Sequence, residues 1–126
     1  MKPQDALKKY YGYDSFRPGQ AEIIQALLDG RDVLAILPTG GGKSLCYQIP
    51  AICMPGMTVV VSPLISLMKD QVDSLVEMGV AARFINSASD VEHFNETIRM
   101  ARRGALDLLY VAPERLDNES FCRLLL

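Results

Sequence analysis

The chain has 126 residues, of which 49% are hydrophobic and 22% charged, a composition typical of one globular domain and not of a disordered segment. Its formal net charge of -2 excludes a global basic field, so any site for a polyanion has to be local. Three cysteines without paired spacing indicate neither a disulfide framework nor a zinc cluster, and they favour a reducing cytoplasm. No apolar h-region follows the N-terminal residues 1–5, and no stretch approaches the roughly 18 apolar residues of a membrane span, so neither secretion nor membrane insertion is expected.

The first part of the chain predicts one helix and one strand. Pro18 is typical of a first helical position and Gly30 of a helix end, so a helix is expected between them. Residues 32–37 form an apolar run rich in branched side chains, without the alternation of a half-exposed strand. This run is therefore expected to be a buried strand.

The segment that follows, LPTGGGKS at residues 37–44, carries the strongest chemical signal in the sequence. Its three glycines let the backbone turn tightly and direct N–H groups at a phosphate, and a helix that starts there adds its positive dipole. Lys43 is expected to meet the terminal phosphates of ATP, and Ser44 to bind Mg²⁺. Because Leu37 stands where the usual pattern has its first glycine, the alternative interpretation is a glycine-rich turn without a ligand.

Strands and helices alternate in the rest of the chain. Three further apolar runs, at residues 58–62, 82–85 and 106–111, predict buried strands, and helical patterns lie between them. This order predicts βαβ units, and hence an α/β fold with a parallel sheet flanked by helices. In such sheets, ligands bind at the carboxyl ends of the strands.

Three helices are predicted in this region. The first ends at Gly79, and the second begins with Ser89 and Glu92 as a possible capping box. The apolar face of the second helix is expected to consist of Val91, Phe94, Ile98 and Ala101. A last short helix is expected within residues 117–126.

Four segments of the chain resemble motifs of the RecQ family of DNA helicases. Residues 11–20, YGYDSFRPGQ, resemble the adenine-recognition motif, and residues 37–50, LPTGGGKSLCYQIP, resemble the phosphate loop, in which this family normally lacks the first glycine. Residues 58–72, TVVVSPLISLMKDQV, resemble motif Ia, and residues 110–116, YVAPERL, resemble motif Ib. The resemblance implies a RecA-like P-loop NTPase fold, ATP and Mg²⁺ as cofactors, and unwinding of DNA in the 3′ to 5′ direction, with single-stranded or forked DNA as the partner.

The first two of these segments are expected to form a nucleotide site. Tyr13 and Arg17 can lay an aromatic ring and a planar guanidinium against a purine, and the Gln20 amide matches the donor and acceptor of adenine. The alternative is a helix entry in which Phe16 packs in the core and Arg17 is solvated. The phosphate loop contributes Thr39, Gly40, Gly41, Gly42, Lys43 and Ser44, with Lys43 as the catalytic residue and Ser44 as the ligand of Mg²⁺.

The other two segments are expected to bind DNA. Hydroxyl groups, backbone N–H groups and a helix N-terminus at the carboxyl end of a strand can hold a DNA phosphate. The alternatives are an ordinary strand-to-helix connection with a solvated lysine, and a surface ion pair without consequence. The residues implied are Ser62, Pro63, Leu64, Ser66 and Lys69 in motif Ia, and Pro113, Glu114 and Arg115 in motif Ib, where Arg115 contacts the DNA backbone and Glu114 orients it.

Two other reactive residue types are expected to be structural. His93 is the sole histidine and lies on a polar helical face, which favours a solvated side chain over a metal ligand or a catalytic group. Cys46 and Cys53 follow the phosphate loop on one helix, where they are expected to pack as small apolar residues.

The sequence contains no Asp-Glu-Ala-His motif, which supplies the hydrolytic carboxylates in the RecQ family. Residues 1–126 are therefore expected to be a partial ATP-binding domain, the front part of a first RecA-like lobe. On this hypothesis the chain lacks ATPase activity and is marginally stable, with residues 59–61 and 108–110 at unpaired edges or on exposed faces. Two other hypotheses are a non-enzymatic remnant with weak or no ATP binding and a different P-loop phosphotransferase, against which motifs Ia and Ib argue.

Overall fold

The computed structural model describes residues 1–37, 42–85 and 91–125. The chain divides into two compact units, Met1–Pro55 and Gly56–Leu126. The described part of the first unit is helical, whereas the second unit combines a sheet with helices. Among the described helices, none is both long enough and apolar enough to cross a membrane.

The first unit is built around a small apolar core. Its helices are α1 (Pro3–Ala6), which runs directly into a π-helical turn (Leu7–Tyr11), followed by α2 (Gln20–Leu28) and α3 (Leu45–Cys53). Ala6, Leu7, Ile24 and Ile49 form the buried core, so that each of these elements contributes to it. Phe16 packs against this core as one of the partly buried side chains.

The helix predicted between Pro18 and Gly30 is confirmed, with a later start. Gly19 has a φ of 88°, a left-handed conformation that interrupts the helix and delays its beginning to Gln20. At the other end, Gly30 has a φ of 83° and follows the last turn, as expected for a glycine that ends a helix.

The strand predicted at residues 32–37 is wrong for the described structure. A strand requires a ladder of hydrogen bonds to a neighbour, and no described strand pairs with this segment. The side chains are also less buried than expected, because Leu34 is 90% exposed and Ile36 is 87% exposed. A cavity is instead lined by Val33, Ala35 and Leu37, so the side chains of this segment alternate between the cavity and the exposed side.

A three-stranded parallel sheet forms the centre of the second unit. Its strands are β1 (Thr58–Val61), β2 (Ala82–Ile85) and β3 (Leu108–Val111), arranged in the order β1-β3-β2. In the register of the sheet, Val61 and Ile85 both align with Val111, so the three strands end at one edge. The predicted α/β fold with a parallel sheet is confirmed.

Helices connect and follow the strands, as the sequence predicted. They are α4 (Ile65–Glu77) after β1, α5 (Val91–Arg102) after β2, and a 3₁₀ turn (Pro113–Asp117) with α6 (Glu119–Leu125) after β3. α4 stops at the expected place: Gly79 has a φ of 92°, and the N–H of Val80 donates a bond of 2.9 Å to the carbonyl of Leu75.

The core of the second unit forms around the central strand. All four residues of β3 are buried, and Leu109 and Val111 pack with Ile85, Leu106 and Phe121. The expectation that residues 108–110 are exposed or unpaired is therefore wrong, because β3 has a partner on each side. On the edge strand β1, in contrast, Val61 is 47% exposed.

The apolar face predicted for α5 is correct except at its first residue. Phe94, Ile98 and Ala101 pack against the core of the second unit. Val91 is 74% exposed, because it occupies the first position of the helix and lies outside that core. Ser89, predicted to cap this helix, lies outside the described residues.

Candidate functional site

The described part of the phosphate loop leads directly into a helix. Gly42 and Lys43 precede α3, and Ser44 is its N-cap residue. Lys43 is exposed and Ser44 is half-buried. Within the described residues the Ser44 side chain makes no capping hydrogen bond. The other loop residues predicted to bind phosphate, Thr39, Gly40 and Gly41, lie outside the described residues.

Gln20 joins the segment before α2 to this loop. Its Oε1 accepts a hydrogen bond of 2.8 Å from the N–H of Arg17, and its Nε2 donates one of 3.1 Å to the carbonyl of Gly42. The Gln20 residue is 1% exposed. The amide can therefore reach a purine only after local movement, and in this structure it holds two backbone segments together.

The backbone of Gly42 is fitted closely to Gln20. Gly42 has a φ of 74°, a left-handed conformation that residues with a Cβ atom rarely adopt. A Cβ atom at this position would overlap Nε2 of Gln20. The close approach of loop and amide thus requires glycine, which is what a loop that brings its backbone near a phosphate also requires.

Tyr13 and Arg17, predicted to flank a purine, are both exposed, with Tyr13 at 54%. Their segment is anchored by two contacts that the sequence did not predict. The Gln4 amide donates a hydrogen bond to the carbonyl of Asp14, and the Tyr11 hydroxyl donates one of 2.6 Å to Oε1 of Gln48 on α3.

Burial, with a smaller contribution from Tyr47, raises the pKa of Tyr11 above its usual range, so this phenol remains a hydrogen-bond donor. Tyr11 lies inside the segment that resembles the adenine motif. Its contact with Gln48 could not be predicted from the sequence pattern, because the two residues are 37 positions apart along the chain.

A cavity of about 350 Å³ lies beside Lys43 within the first unit. Its lining is mainly apolar and comes from α2, α3 and the segment 33–37. Cys46 lines the same cavity, is 5% exposed, and has its pKa raised by burial. Cys53 packs against the core of the first unit. Both cysteines therefore pack as small apolar side chains, as predicted.

In the second unit, the structure brings the two predicted DNA-binding segments to one edge of the sheet. The N–H of Ser62, which follows β1, donates a hydrogen bond of 3.0 Å to the carbonyl of Val111. The N–H of Ala112 in turn donates one of 3.2 Å to the carbonyl of Ile85. The 3₁₀ turn of motif Ib begins at the next residue, Pro113, so the connections that follow β1 in motif Ia and β3 in motif Ib start side by side at the carboxyl edge.

Motif Ia turns sharply into α4. The Ser62 hydroxyl accepts a hydrogen bond of 3.2 Å from the N–H of Leu64. Pro63, Leu64 and Ser66 are exposed. The predicted phosphate ligand Lys69 is also exposed, and it forms an ion pair of 2.8 Å with Asp73 one helical turn further on. The hydrogen bond to Asp73 raises the pKa of Lys69, so its ammonium group stays charged throughout the physiological range.

Motif Ib places Arg115 against an aromatic ring. Its Cζ lies 5.1 Å from the ring centroid of Phe94, a cation–π arrangement. Arg115 is half-buried and Glu114 is exposed. Sequence reasoning assigned Phe94 only to the apolar face of α5, and periodicity alone carries no signal for this contact.

The expectation that His93 is solvated is wrong. Its Nε2 lies 2.7 Å from the carbonyl of Phe84, which can only accept, so Nε2 carries the proton. Its Nδ1 lies 3.0 Å from Nη2 of Arg83 and accepts from that group. Two residues of β2, Arg83 and Phe84, thus hold the histidine of α5. No group of three or more potential metal ligands occurs in the described part of the chain.

The sequence profile of the DEAD/DEAH box helicases matches residues 17–124. The chain is 52% identical over 119 residues to "ATP-dependent DNA helicase RecQ" of Haemophilus influenzae, a match that covers 94% of this chain and 19% of that protein. It is 49% identical over 125 residues to the protein of the same name from Bacillus subtilis, with coverage of 98% and 21%. The chain therefore spans about a fifth of the length of these curated relatives.

A solved structure supports the fold. The described chain superimposes on the crystal structure of the DUF1998 helicase MrfA bound to DNA with a TM-score of 0.71 and 22% identity, covering 93% of this chain and 17% of that one. At this identity the likeness concerns the fold, which is RecA-like as predicted. The sequence matches confirm the resemblance to RecQ helicases that four motifs predicted.

Proposed function

The chain belongs to the DEAD/DEAH box helicase family, and on this premise we propose that it provides the ATP-binding loop and part of the DNA-binding surface of a RecQ-type helicase. This helicase unwinds DNA in the 3′ to 5′ direction and acts on single-stranded or forked DNA. The direction of unwinding and the form of the DNA follow from the RecQ resemblance.

One observation carries the proposal: about half of the aligned residues are identical to RecQ helicases over more than nine tenths of the chain. The matched region covers 98% of the chain and therefore includes the phosphate loop and motifs Ia and Ib together. A different P-loop phosphotransferase would need the phosphate loop but not the two DNA-binding motifs. The shared sequence therefore favours a DNA motor over other enzymes with a phosphate loop.

The residues around Gly42 fit the triphosphate of ATP. Lys43 is an exposed cation at the start of α3, where the helix dipole also favours an anion. Ser44 offers a hydroxyl beside it for Mg²⁺, which neutralises charge on the phosphates when it is bound. Tyr13 and Arg17 supply exposed surfaces for the purine, and Gln20 ties their segment to the loop.

The carboxyl edge of the sheet fits a DNA backbone. Ser62 and Arg115 lie in connections that start side by side, so a hydroxyl and a guanidinium can contact neighbouring phosphates. Phosphate contacts of this kind hold a strand without reading its bases, as a motor that travels along DNA of any sequence requires. The proposed surface also includes the other residues implied by motifs Ia and Ib, which are Pro63, Leu64, Ser66, Lys69, Pro113 and Glu114.

The ATP site is tested by Lys43→Ala, with Lys2→Ala as the control. Both substitutions remove one exposed lysine from the first unit, but only Lys43 adjoins the phosphate loop. A hydrogen bond to a charged group contributes about 1.5–3 kcal/mol, so we expect Lys43→Ala to weaken binding of a fluorescent ATP analogue by roughly 10- to 100-fold. Equal affinities of Lys43→Ala and the unchanged chain would contradict the assignment of the phosphate loop.

A further inference from the structure

Phe94 connects the core of the second unit to the carboxyl edge of the sheet. Its ring packs against the buried core and lies 6.3 Å, centroid to centroid, from the ring of Phe121. Phe121 is 2% exposed, so its position is fixed by packing. Phe94 is therefore supported from the side of the core, while it remains half-buried itself.

On its other side, Phe94 supports Arg115. The Cζ atom of the guanidinium lies 5.1 Å from the centroid of the Phe94 ring. A cation–π contact involves the charge of the guanidinium and not its N–H groups, which can donate to a phosphate. The contact with Phe94 and a bond to a phosphate are thus compatible for Arg115.

We propose that Phe94 is a positioning residue for the contact of Arg115 with a DNA phosphate. This inference rests on the proposed function and extends it to a residue outside the four motifs. A long arginine side chain loses rotamer freedom when it binds, and a side chain that is already held loses less. Phe94 supplies this restraint from α5, so the affinity of motif Ib for DNA depends on a helix outside the proposed DNA surface.

The first test needs no DNA. An aromatic ring shifts the NMR signals of protons above its face upfield, so the δ-methylene protons of Arg115 are expected upfield of their usual position. Phe94→Leu should abolish this shift, and Phe94→Tyr should retain it. An ordinary chemical shift for Arg115 in the unchanged chain overturns the inference, whether or not any variant folds.

The second test measures binding of a fluorescent oligothymidine by anisotropy at several salt concentrations. We expect Phe94→Leu to weaken binding about 3- to 10-fold, from the strength of a cation–π contact, and Phe94→Tyr to bind as the unchanged chain does. Because Phe94→Leu keeps the charge of Arg115, the salt dependence should stay the same, whereas Arg115→Ala should flatten it. In the Arg115→Ala background, Phe94→Leu should have no further effect.

Phe84→Leu is the matched control, because Phe84 is a half-buried aromatic residue of the same unit that lies against His93. If Arg115→Ala weakens binding and Phe94→Leu does not, the positioning role is wrong and the DNA contact stands. If Arg115→Ala has no effect, the contact in the proposed function is wrong, and the positioning role with it. Equal losses in Phe84→Leu and Phe94→Leu would show a general packing effect and overturn the inference.

Discussion

The side-chain amide of Gln20 donates a hydrogen bond of 3.1 Å to the main-chain carbonyl of Gly42. Since its Oε1 also accepts from the N–H of Arg17, one buried amide connects the segment proposed to hold the purine with the loop proposed to hold the phosphates. Two segments proposed to contact opposite ends of one nucleotide are thereby linked without a bound nucleotide. Gln20 can affect affinity in two ways, by supporting the site and by reading the base.

Gln20→Ala separates these two effects. Loss of the amide removes the two hydrogen bonds that join the segment before α2 to the loop, and a typical hydrogen bond contributes about 0.5–1.5 kcal/mol. We expect the affinity for ATP to fall at least 10-fold and the ratio of ATP to GTP affinity to fall as well, measured by isothermal titration calorimetry. Gln25→Ala is the control, because Gln25 lies on the same helix but is exposed and bonds only to Asp29 among the described partners. If the affinities for ATP and GTP fall by the same factor, Gln20 supports the site and does not distinguish the two bases.

Gly42→Ala should destabilise the first unit more than Gly12→Ala does. Both glycines have nearly the same φ, 74° and 75°, so the conformational cost of alanine, about 1 kcal/mol, is shared. At Gly12 no described heavy atom lies within 4 Å of a new Cβ, whereas at Gly42 the new atom overlaps the Gln20 amide. Urea unfolding followed by circular dichroism measures the difference.

The excess cost at Gly42 should depend on Gln20. In the Gln20→Ala background the overlapping Nε2 atom is absent, so Gly42→Ala should cost no more than Gly12→Ala. An undiminished cost in that background would show that the amide and the loop are not in the contact that the structure shows.

Local signals predicted much of the second unit, and long-range pairing explains where prediction failed. The end of α4 was predictable because Gly79 adopts a left-handed conformation that the helix stop needs. Residues 32–37 have the composition of a strand, but a strand exists only with a partner, and composition does not supply one. His93 was misjudged for a related reason: its partners, Arg83 and the carbonyl of Phe84, lie on a strand that periodicity cannot connect to α5.

In the candidate site, too, local segments were predicted from the sequence and long-range contacts were not. The phosphate loop and motifs Ia and Ib are contiguous segments, and sequence alone located them. Contacts that hold such segments in place, Gln20 with Gly42 and Arg115 with Phe94, depend on the fold and were not predicted. Supporting residues of a site are therefore less visible in a sequence than the residues that they support.

Asp73 should limit the contribution of Lys69 to DNA binding. The two side chains form an exposed ion pair of 2.8 Å, so a DNA phosphate has to compete with the Asp73 carboxylate for Lys69. Exposed pairs contribute little, so we expect Asp73→Asn to raise the affinity for oligothymidine by no more than roughly 5-fold at low salt. Lys69→Ala should lower it.

Glu77→Gln is the control for Asp73→Asn, because Glu77 is the exposed last residue of α4, two turns from Lys69, and its substitution changes the net charge equally. The gain should vanish at high salt, where exposed charges are screened. A similar gain in Glu77→Gln would attribute the effect to net charge, and a loss in Asp73→Asn would contradict the assignment of Lys69 to the DNA surface.

The 126-residue chain should bind ATP without turning it over at the rate of a helicase. Hydrolysis needs a carboxylate to hold Mg²⁺ and a group to orient the attacking water, and the sequence holds no Asp-Glu-Ala-His motif to provide them. Where an arginine finger is present, it alone raises the rate on the order of 10³- to 10⁵-fold. A phosphate loop that acts without such groups therefore leaves the reaction slow. The measurement is phosphate release with and without single-stranded DNA, alongside ATP binding, with Lys43→Ala as the control for contaminating ATPases. Stimulation by DNA that disappears in Lys43→Ala would show that these residues suffice for catalysis and that the expected inactivity is wrong.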